Sequence, residues 1–343
     1  MDTSAWKTHC FGRQLVDLPP DARIIQRYEL LSEEVQRLQG DIAVGKAQIE
    51  AREQALKAEK HETAGSMFIR EVPLANGSVA LISYNRAFNT NSLRVYTYLV
   101  AGGTEPRMYL YNTFVSLRLE KTAIAFFEFL SKNIRALAPN EIPNGQGFCI
   151  DGAFIAGNEN RSESSMVDIT LPNHPGAQIE IFATTQGEVE PSLLDRLKAE
   201  GLSALLARFN GLKVLRKGKH PVGELAAEEY LTVGEENGHR MYAFAWEVPG
   251  KASSVAEPNI SVQLGVLDNS DEDEGPPPPP AFKSDEEALQ LWDAIINSIR
   301  PRPGTADAPP APPPQPLSNY SRQKAQSEQH ALEDFLYTPP TRR

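Results

Sequence analysis

Apolar and polar residues alternate along most of the chain, in short stretches separated by Gly, Asn and Pro. Alternation with a period of two is typical of half-buried strands, and the separating residues favour tight turns. The pattern therefore predicts a protein built mainly of antiparallel strands. The predicted strands cover residues 8–18, 22–29, 67–74, 78–85, 93–101, 107–117, 147–156, 166–171, 178–185, 213–217, 224–232, 240–248 and 259–267.

A helical period near 3.6 replaces this alternation in four segments. They cover residues 32–62, 120–137, 191–209 and 285–299. In the first segment the apolar stripe is narrow, and Gly45 and Arg52 occupy two of its positions. We therefore expect this helix to lie across a sheet or to protrude partly into solvent, rather than to form a coiled coil.

These elements predict an α+β protein with two domains, each an antiparallel β-sheet with helices packed on one face. Residues 139–145 break both periodicities, so we expect an N-terminal domain over residues 6–140 and a C-terminal domain over 145–303. Residues 268–280 contain five carboxylates and then five consecutive prolines, which predicts a solvated, locally extended loop. The Pro-rich residues 304–343 predict a disordered tail.

The chain is acidic, with 45 Asp and Glu against 34 Lys and Arg and a formal charge of −11. This charge excludes a general nucleic-acid binder and docking on an anionic membrane by charge, but it permits a basic protein partner. No apolar run approaches the ~20 residues that span a bilayer, so we expect no membrane insertion. Residues 1–17 carry no apolar signal segment, so we expect either a cytoplasmic protein or the mature form of an exported one.

Motifs of hydrolases, nucleotide-binding proteins and zinc enzymes are missing from the sequence. No two of the six histidines have metal-binding spacing on one helix, and only His9 lies beside a cysteine, Cys10. These neighbours point to opposite faces of a strand, which disfavours a Cys–His nucleophile. The side chains of the adjacent Glu228 and Glu229 also point to opposite faces of a strand, which disfavours a pair of carboxylates for acid–base catalysis. We therefore predict no catalytic residue, no metal ligand and no cofactor.

Cys10 and Cys149 are the two cysteines of the chain, and each lies in the first predicted strand of its domain. A disulfide between them would close a loop of roughly 140 residues and stabilise the protein by roughly 5 kcal/mol in the chain-entropy model. Two buried free thiols are the alternative. The spacing alone leaves both possibilities open.

Several short motifs, taken in order, resemble a known family. Residues 9–13 (HCFGR) and 15–19 (LVDLP) resemble the opening of the immunity proteins paired with class-four type VI secretion lipase effectors, and residues 147–152 (GFCIDG) resemble the start of that family's C-terminal domain. The resemblance covers roughly residues 6–303. Further matching positions are Ile155, Gly157, Gly223, Glu228, Phe244, Ala245, Trp246, Gly250, Pro258, Ile260, Leu291, Trp292, Asp293 and residues 298–303.

This resemblance implies an antitoxin of the bacterial periplasm that has no active site. Its partner would be a cognate type VI phospholipase effector, held around its mobile lid so that the enzyme stays closed. A binder can favour the closed lid only through its higher affinity for the closed than for the open state. The antitoxin alone is expected to be a monomer. In an oxidising periplasm, the resemblance favours the Cys10–Cys149 disulfide over free thiols.

The acidic residues of the 268–280 loop form the candidate partner-binding site, through electrostatic steering toward a basic partner surface. Ordinary solvation explains them equally well. The candidate residues are Asp271, Glu272, Asp273 and Glu274. Two other functions remain as alternatives: a cytoplasmic adaptor that docks through its Pro-rich segments, and an uncharacterised hydrolase.

Overall fold

Strands make up most of the regular secondary structure in the computed structural model, which describes residues 1–158, 162–199, 212–236, 239–266 and 279–305. In these ranges the strands are β1 Lys7–Phe11, β2 Gln14–Leu18, β3 Arg23–Leu30, β4 Glu33–Arg37, β5 Phe68–Pro73, β6 Val79–Arg86, β7 Asn89–Ala101, β8 Arg107–Ser116, β9 Ile134–Ala136, β10 Gly147–Ile150, β11 Ala153–Ala156, β12 Glu163–Thr170, β13 Ala177–Thr184, β14 Lys213–Lys219, β15 Glu228–Glu236, β16 His239–Val248, β17 Asn259–Val266 and β18 Arg300–Pro301. The α-helices are α1 Ile42–Ala58, α2 Glu120–Asn133, α3 Leu193–Ala199 and α4 Asp285–Ile296.

The chain forms two compact units that each combine segments from both halves of the sequence. Unit 1 contains Met1–Gln26 and Ser164–Asp307, and unit 2 contains Arg27–Glu163. The N-terminal β1–β2 hairpin therefore completes the unit formed mainly by the C-terminal half. Strands β10 and β11 follow the predicted boundary at residues 139–145, yet they belong to the unit formed mainly by the N-terminal half. The predicted ranges 6–140 and 145–303 instead divide the chain at a single point.

Unit 1 contains an antiparallel sheet in the order β14-β15-β16-β17-β13-β12 and a smaller sheet in which β2 pairs with β1 and β18. Helices α3 and α4 contact opposite faces of the large sheet. Phe244 of β16 packs edge-on against Trp292 of α4, with ring centroids 5.5 Å apart. Glu247, three residues further along β16, accepts hydrogen bonds from Arg196 of α3 on the other face.

Unit 2 contains the antiparallel meander β5-β6-β7-β8, with β4 paired to β8, and a small sheet in which β11 pairs with β10 and β9. Helix α1 places Leu56 in a buried cluster with Tyr98 and Met108. Helix α2 packs Phe127 against Tyr111, whose side chain lies on the opposite face.

The antiparallel α+β class is confirmed, but in each unit the helices contact both faces of the sheet instead of one. Coverage of both faces explains why β6 buries four consecutive residues, from Ala80 to Ser83, without alternation. The predicted tail, residues 304–343, and the loop 268–280 lie outside the described residues except at their margins.

The predicted helix over residues 32–62 is wrong at its N-terminal end, where the chain forms the β3–β4 hairpin. Leu30 pairs with Glu33, so the turn contains only Leu31 and Ser32, whose φ angles are 54° and 62°. Two positive φ angles give the twist that a two-residue hairpin requires, but Gly or Asn normally supplies them. Helix α1 begins later, after Asp41, whose side chain accepts a hydrogen bond from the Val44 amide at 3.0 Å.

Two predicted strands are also hairpins. Residues 8–18 turn at Gly12 and residues 147–156 turn at Gly152, with φ angles of 53° and 72°. The predicted helix over 120–137 ends at Asn133, and the chain continues directly into β9. Beyond Ala199, the predicted helix over 191–209 lies outside the described residues.

Candidate interaction surface

Cys10 and Cys149 are joined in a disulfide, which confirms the pairing implied by the family resemblance. Cys10 lies opposite Leu15 in the β1–β2 hairpin, and Cys149 lies opposite Phe154 in the β10–β11 hairpin. Burial lowers the pKa of the neighbouring His9, with a further contribution from the positive charge of Lys7. Because the sulfur of Cys10 is bonded to another sulfur, it provides no thiolate beside this imidazole.

Glu228 and Glu229 point to opposite faces of β15, as predicted, and each makes contacts within the fold. Glu228 accepts a hydrogen bond from the Leu194 amide of α3 at 3.0 Å. Glu229 is 2.7 Å from Nδ1 of His220 and accepts a hydrogen bond from Arg216 at 3.2 Å. These contacts connect α3 and β14 to β15.

Arg216 also forms a short two-pronged ion pair with Asp293, so the network of Arg216, Glu229 and His220 extends from the sheet to α4. Hydrogen bonds from Arg216 to Asp293, and then to Glu229, raise the pKa of the guanidinium despite its partial burial. A fixed, charged guanidinium that joins two elements is a structural arrangement, because it cannot exchange a proton near neutral pH.

The acidic candidate residues Asp271, Glu272, Asp273 and Glu274 lie outside the described residues, so their role in steering stays a prediction. Across the described ranges, no group of three His, Cys, Asp or Glu side chains is arranged to hold a metal ion. The described helices include none that is long and apolar enough to cross a membrane.

Large apolar side chains in solvent are the surface feature that the sequence pattern did not reveal. Ile25 on β3 is 68% exposed, and Phe88, in the turn between β6 and β7, is 66% exposed. Single exposed apolar side chains are common on protein surfaces, so these two do not by themselves mark an interface. The turn Arg86–Asn89 could have been located from the two flanking strands, but the outward direction of Phe88 depends on the register.

Two family models match this chain. The N-terminal domain of Tle cognate immunity protein 4 matches residues 7–110, and the C-terminal domain of the same protein matches residues 141–304. The chain belongs to this family. The resemblance based on short motifs over residues 6–303 is thereby confirmed.

Solved structures agree with the family assignment. The chain is 43% identical to a chain in the crystal structure of the Tle4–Tli4 complex, with a TM-score of 0.83, covering 88% of this chain and 99% of that one. It is 42% identical to the apo structure of TplEi, an immunity protein of the type VI secretion system from Pseudomonas aeruginosa, with a TM-score of 0.81 and coverage of 88% and 99%.

A third structure, TplEi of Pseudomonas aeruginosa complexed with an "L" peptide, is 41% identical to this chain, with a TM-score of 0.77 and coverage of 88% and 100%. A comparison with curated proteins finds no match. The members of the family are immunity proteins, so the family assignment favours a binding role over catalysis.

Proposed function

We propose that this protein is the immunity partner of a class-four type VI secretion phospholipase, which it binds and neutralises without performing a reaction itself. The observation that carries the proposal is the 43% identity, over 88% of the chain, to a chain of the Tle4–Tli4 complex. Membership of the immunity-protein family favours the immunity function over a polyproline-docking adaptor or a hydrolase.

Inhibition would act on the lid of the lipase. A lipase opens its lid at a lipid surface, so a protein that binds the closed state more tightly than the open state holds the enzyme inactive. The shift in the lid equilibrium equals the ratio of these two affinities. Sheets covered on both faces and a disulfide at Cys10 and Cys149 support such a role, because a preorganised binder loses little entropy on association.

The periplasm is the proposed compartment. Disulfides persist in oxidising compartments and are rare in the reducing cytosol. The bond between Cys10 and Cys149 therefore supports an exported protein. An immunity protein in the periplasm would meet a toxin that attacks membrane phospholipids from that side.

A titration tests the proposed function. The full-length protein is added to a purified class-four type VI lipase, and hydrolysis of phospholipid vesicles is measured together with the mass of the complex by light scattering. We expect a one-to-one complex and loss of lipase activity at stoichiometric amounts. A lipase of another class is the control, and its activity should not change. Full lipase activity in the presence of an excess of this protein would refute the proposal.

A second arm addresses the lid and the predicted lack of catalysis. If the protein prefers the closed lid, preincubation of the lipase with vesicles should weaken the apparent affinity, because lipid stabilises the open state. Equal affinities with and without vesicles would contradict inhibition through the lid. The protein alone should release no fatty acid from the same vesicles.

A further inference from the structure

Two arginines of unit 2 lie against aromatic rings on one face of the meander sheet. Arg94 and Tyr96 of β7 stand opposite Phe114 and Asn112 of β8, respectively, so all four side chains share a face. They lie on the same face as Leu110, which packs against the cluster covered by α1. Arg52 of α1 approaches this group from the helix. We name these five residues the arginine–aromatic surface.

The guanidinium of Arg94 is held from several sides. Its central carbon lies 4.4 Å from the ring centre of Phe114 and 5.4 Å from that of Tyr96. Its Nε donates a hydrogen bond to Asn112 at 2.9 Å. The central guanidinium carbon of Arg52 lies 4.7 Å from the ring centre of Tyr96, which is the second ring that Arg94 contacts. Arg94 is therefore ordered before any partner arrives, although its side chain is only half buried.

Neither Arg52 nor Arg94 forms an ion pair with a carboxylate of any residue that the structure describes. Arg135, in the same unit, combines contact with an aromatic ring and an ion pair with a carboxylate. Its guanidinium lies 5.6 Å from the ring centre of Phe154 and also pairs with Glu141 at 2.8 Å. The arginine–aromatic surface thus has the rings and the cations of such a site, and no described residue supplies the carboxylate.

We propose that the arginine–aromatic surface is a docking site for a carboxylate-bearing segment of a protein partner, which is the lipase if the proposed function holds. A carboxylate can accept two parallel hydrogen bonds from a guanidinium while the ring holds the arginine plane. Arg and Tyr are also the residue types that most often dominate binding energy at protein interfaces. The net charge of −11 disfavours nucleic acid as the occupant, because its many phosphates would be repelled by the rest of the chain.

Calorimetry with the purified lipase tests the site, using full-length Arg94→Ala, Arg52→Ala and the double variant. We expect Arg94→Ala to weaken binding about tenfold or more, as loss of a central arginine does at interfaces. Arg94→Lys keeps the charge but loses the planar stacking and the fork, so it should restore only part of the affinity. The matched control is Lys132→Ala, which removes one positive charge from an exposed position on α2, across the sheet, and should leave the affinity within about twofold.

Two further readouts separate docking from folding. The affinity of the wild type should fall with added salt more steeply than that of the double variant, because charge attraction is screened. Melting temperatures show whether Arg94→Ala alters the fold. If it does, Arg52→Ala decides the question, because Arg52 lies on an exposed helix surface. Equal affinity of the wild type and the double variant would overturn the site and leave the immunity function intact. Failure of the wild type to bind the lipase would overturn both.

Discussion

Arg196 and Glu247 form a two-pronged ion pair inside unit 1, with side chains that are only 14% and 8% exposed. The two hydrogen bonds measure 3.0 and 2.6 Å and connect α3 to β16. Two charges removed from water are tolerated only while they remain paired, so each residue depends strongly on the other.

Glu247→Ala should therefore lower the free energy of unfolding by about 3 kcal/mol, because Arg196 would be left charged and largely buried. Urea denaturation measures this change. Lys251→Ala is the control: it breaks an ion pair with Glu257 that is mostly exposed, and should cost at most about 1 kcal/mol. Equal losses in the two variants would show that burial does not determine the strength of these pairs.

The meander β5 to β8 was predicted to within one residue at every strand end except the start of β7, which begins at Asn89 instead of residue 93 because the polar residues 89–91 form part of the strand and not a turn. The β3–β4 hairpin was missed because Leu31 and Ser32 adopt positive φ angles that their residue types do not indicate. Helical periodicity over 32–62 described α1 correctly only after Asp41.

The interruptions in the apolar stripe of α1 have structural causes that the sequence alone could not supply. Gly45 faces Met108, whose sulfur would lie 2.5 Å from an added Cβ atom. Arg52 lies over Tyr96. The arginine–aromatic surface depends on the pairing of β7 with β8 and on the position of α1, so no local motif reveals it. The disulfide was implied only by the family resemblance, because strand periodicity does not pair distant cysteines.

At α4, the first residue of the helix anchors it to the sheet. Asp285 accepts hydrogen bonds from Arg240 and Tyr242 of β16. Burial by itself would raise the pKa of Asp285, but the hydrogen bonds from Arg240 and Tyr242 outweigh it, and the pKa is lowered. Because the pKa of Asp285 is lower in the folded protein than in the unfolded chain, its ionised carboxylate stabilises the fold at pH values above the unfolded pKa of about 3.9. This stabilisation is lost as the pH falls through the pKa of the folded state.

Asp285→Asn should therefore destabilise the protein most at neutral pH, and the difference from the wild type should shrink as the pH falls below about 4. Free energies of unfolding from urea titrations between pH 7 and pH 3 provide the measurement. Glu286→Gln removes a neighbouring acid that contacts Gln290, and should not remove the pH dependence due to Asp285. A pH-independent difference between Asp285→Asn and the wild type would contradict the argument.

For the whole molecule, the disulfide constrains the unfolded chain more than any local contact does. The loop closed by Cys10 and Cys149 spans most of the first half of the sequence. Its closure removes conformational freedom from the denatured state, and in the chain-entropy model the effect grows with the logarithm of loop length.

Reduction should therefore lower the free energy of unfolding by up to about 5 kcal/mol. Denaturation with and without dithiothreitol measures the effect, and thiol titration should detect no free thiol in the unreduced protein. The Cys10→Ser, Cys149→Ser double variant should resemble the reduced wild type and should not respond to the reductant. Free thiols in protein purified from the periplasm would contradict the bond.

The composition of unit 1 also determines when it can be completed during synthesis. Asp17 in β2 donates its amide hydrogen to Ser298, a separation of 281 residues, and Leu15 pairs with Arg300. The β1–β2 hairpin must therefore wait until Ser298 and Arg300 have been translated, which takes roughly 15–60 s at about 5–20 residues per second. Until then β2 lacks the hydrogen bond with Ser298 and the strand pairing with Arg300, so unit 1 is completed only near the end of the described chain.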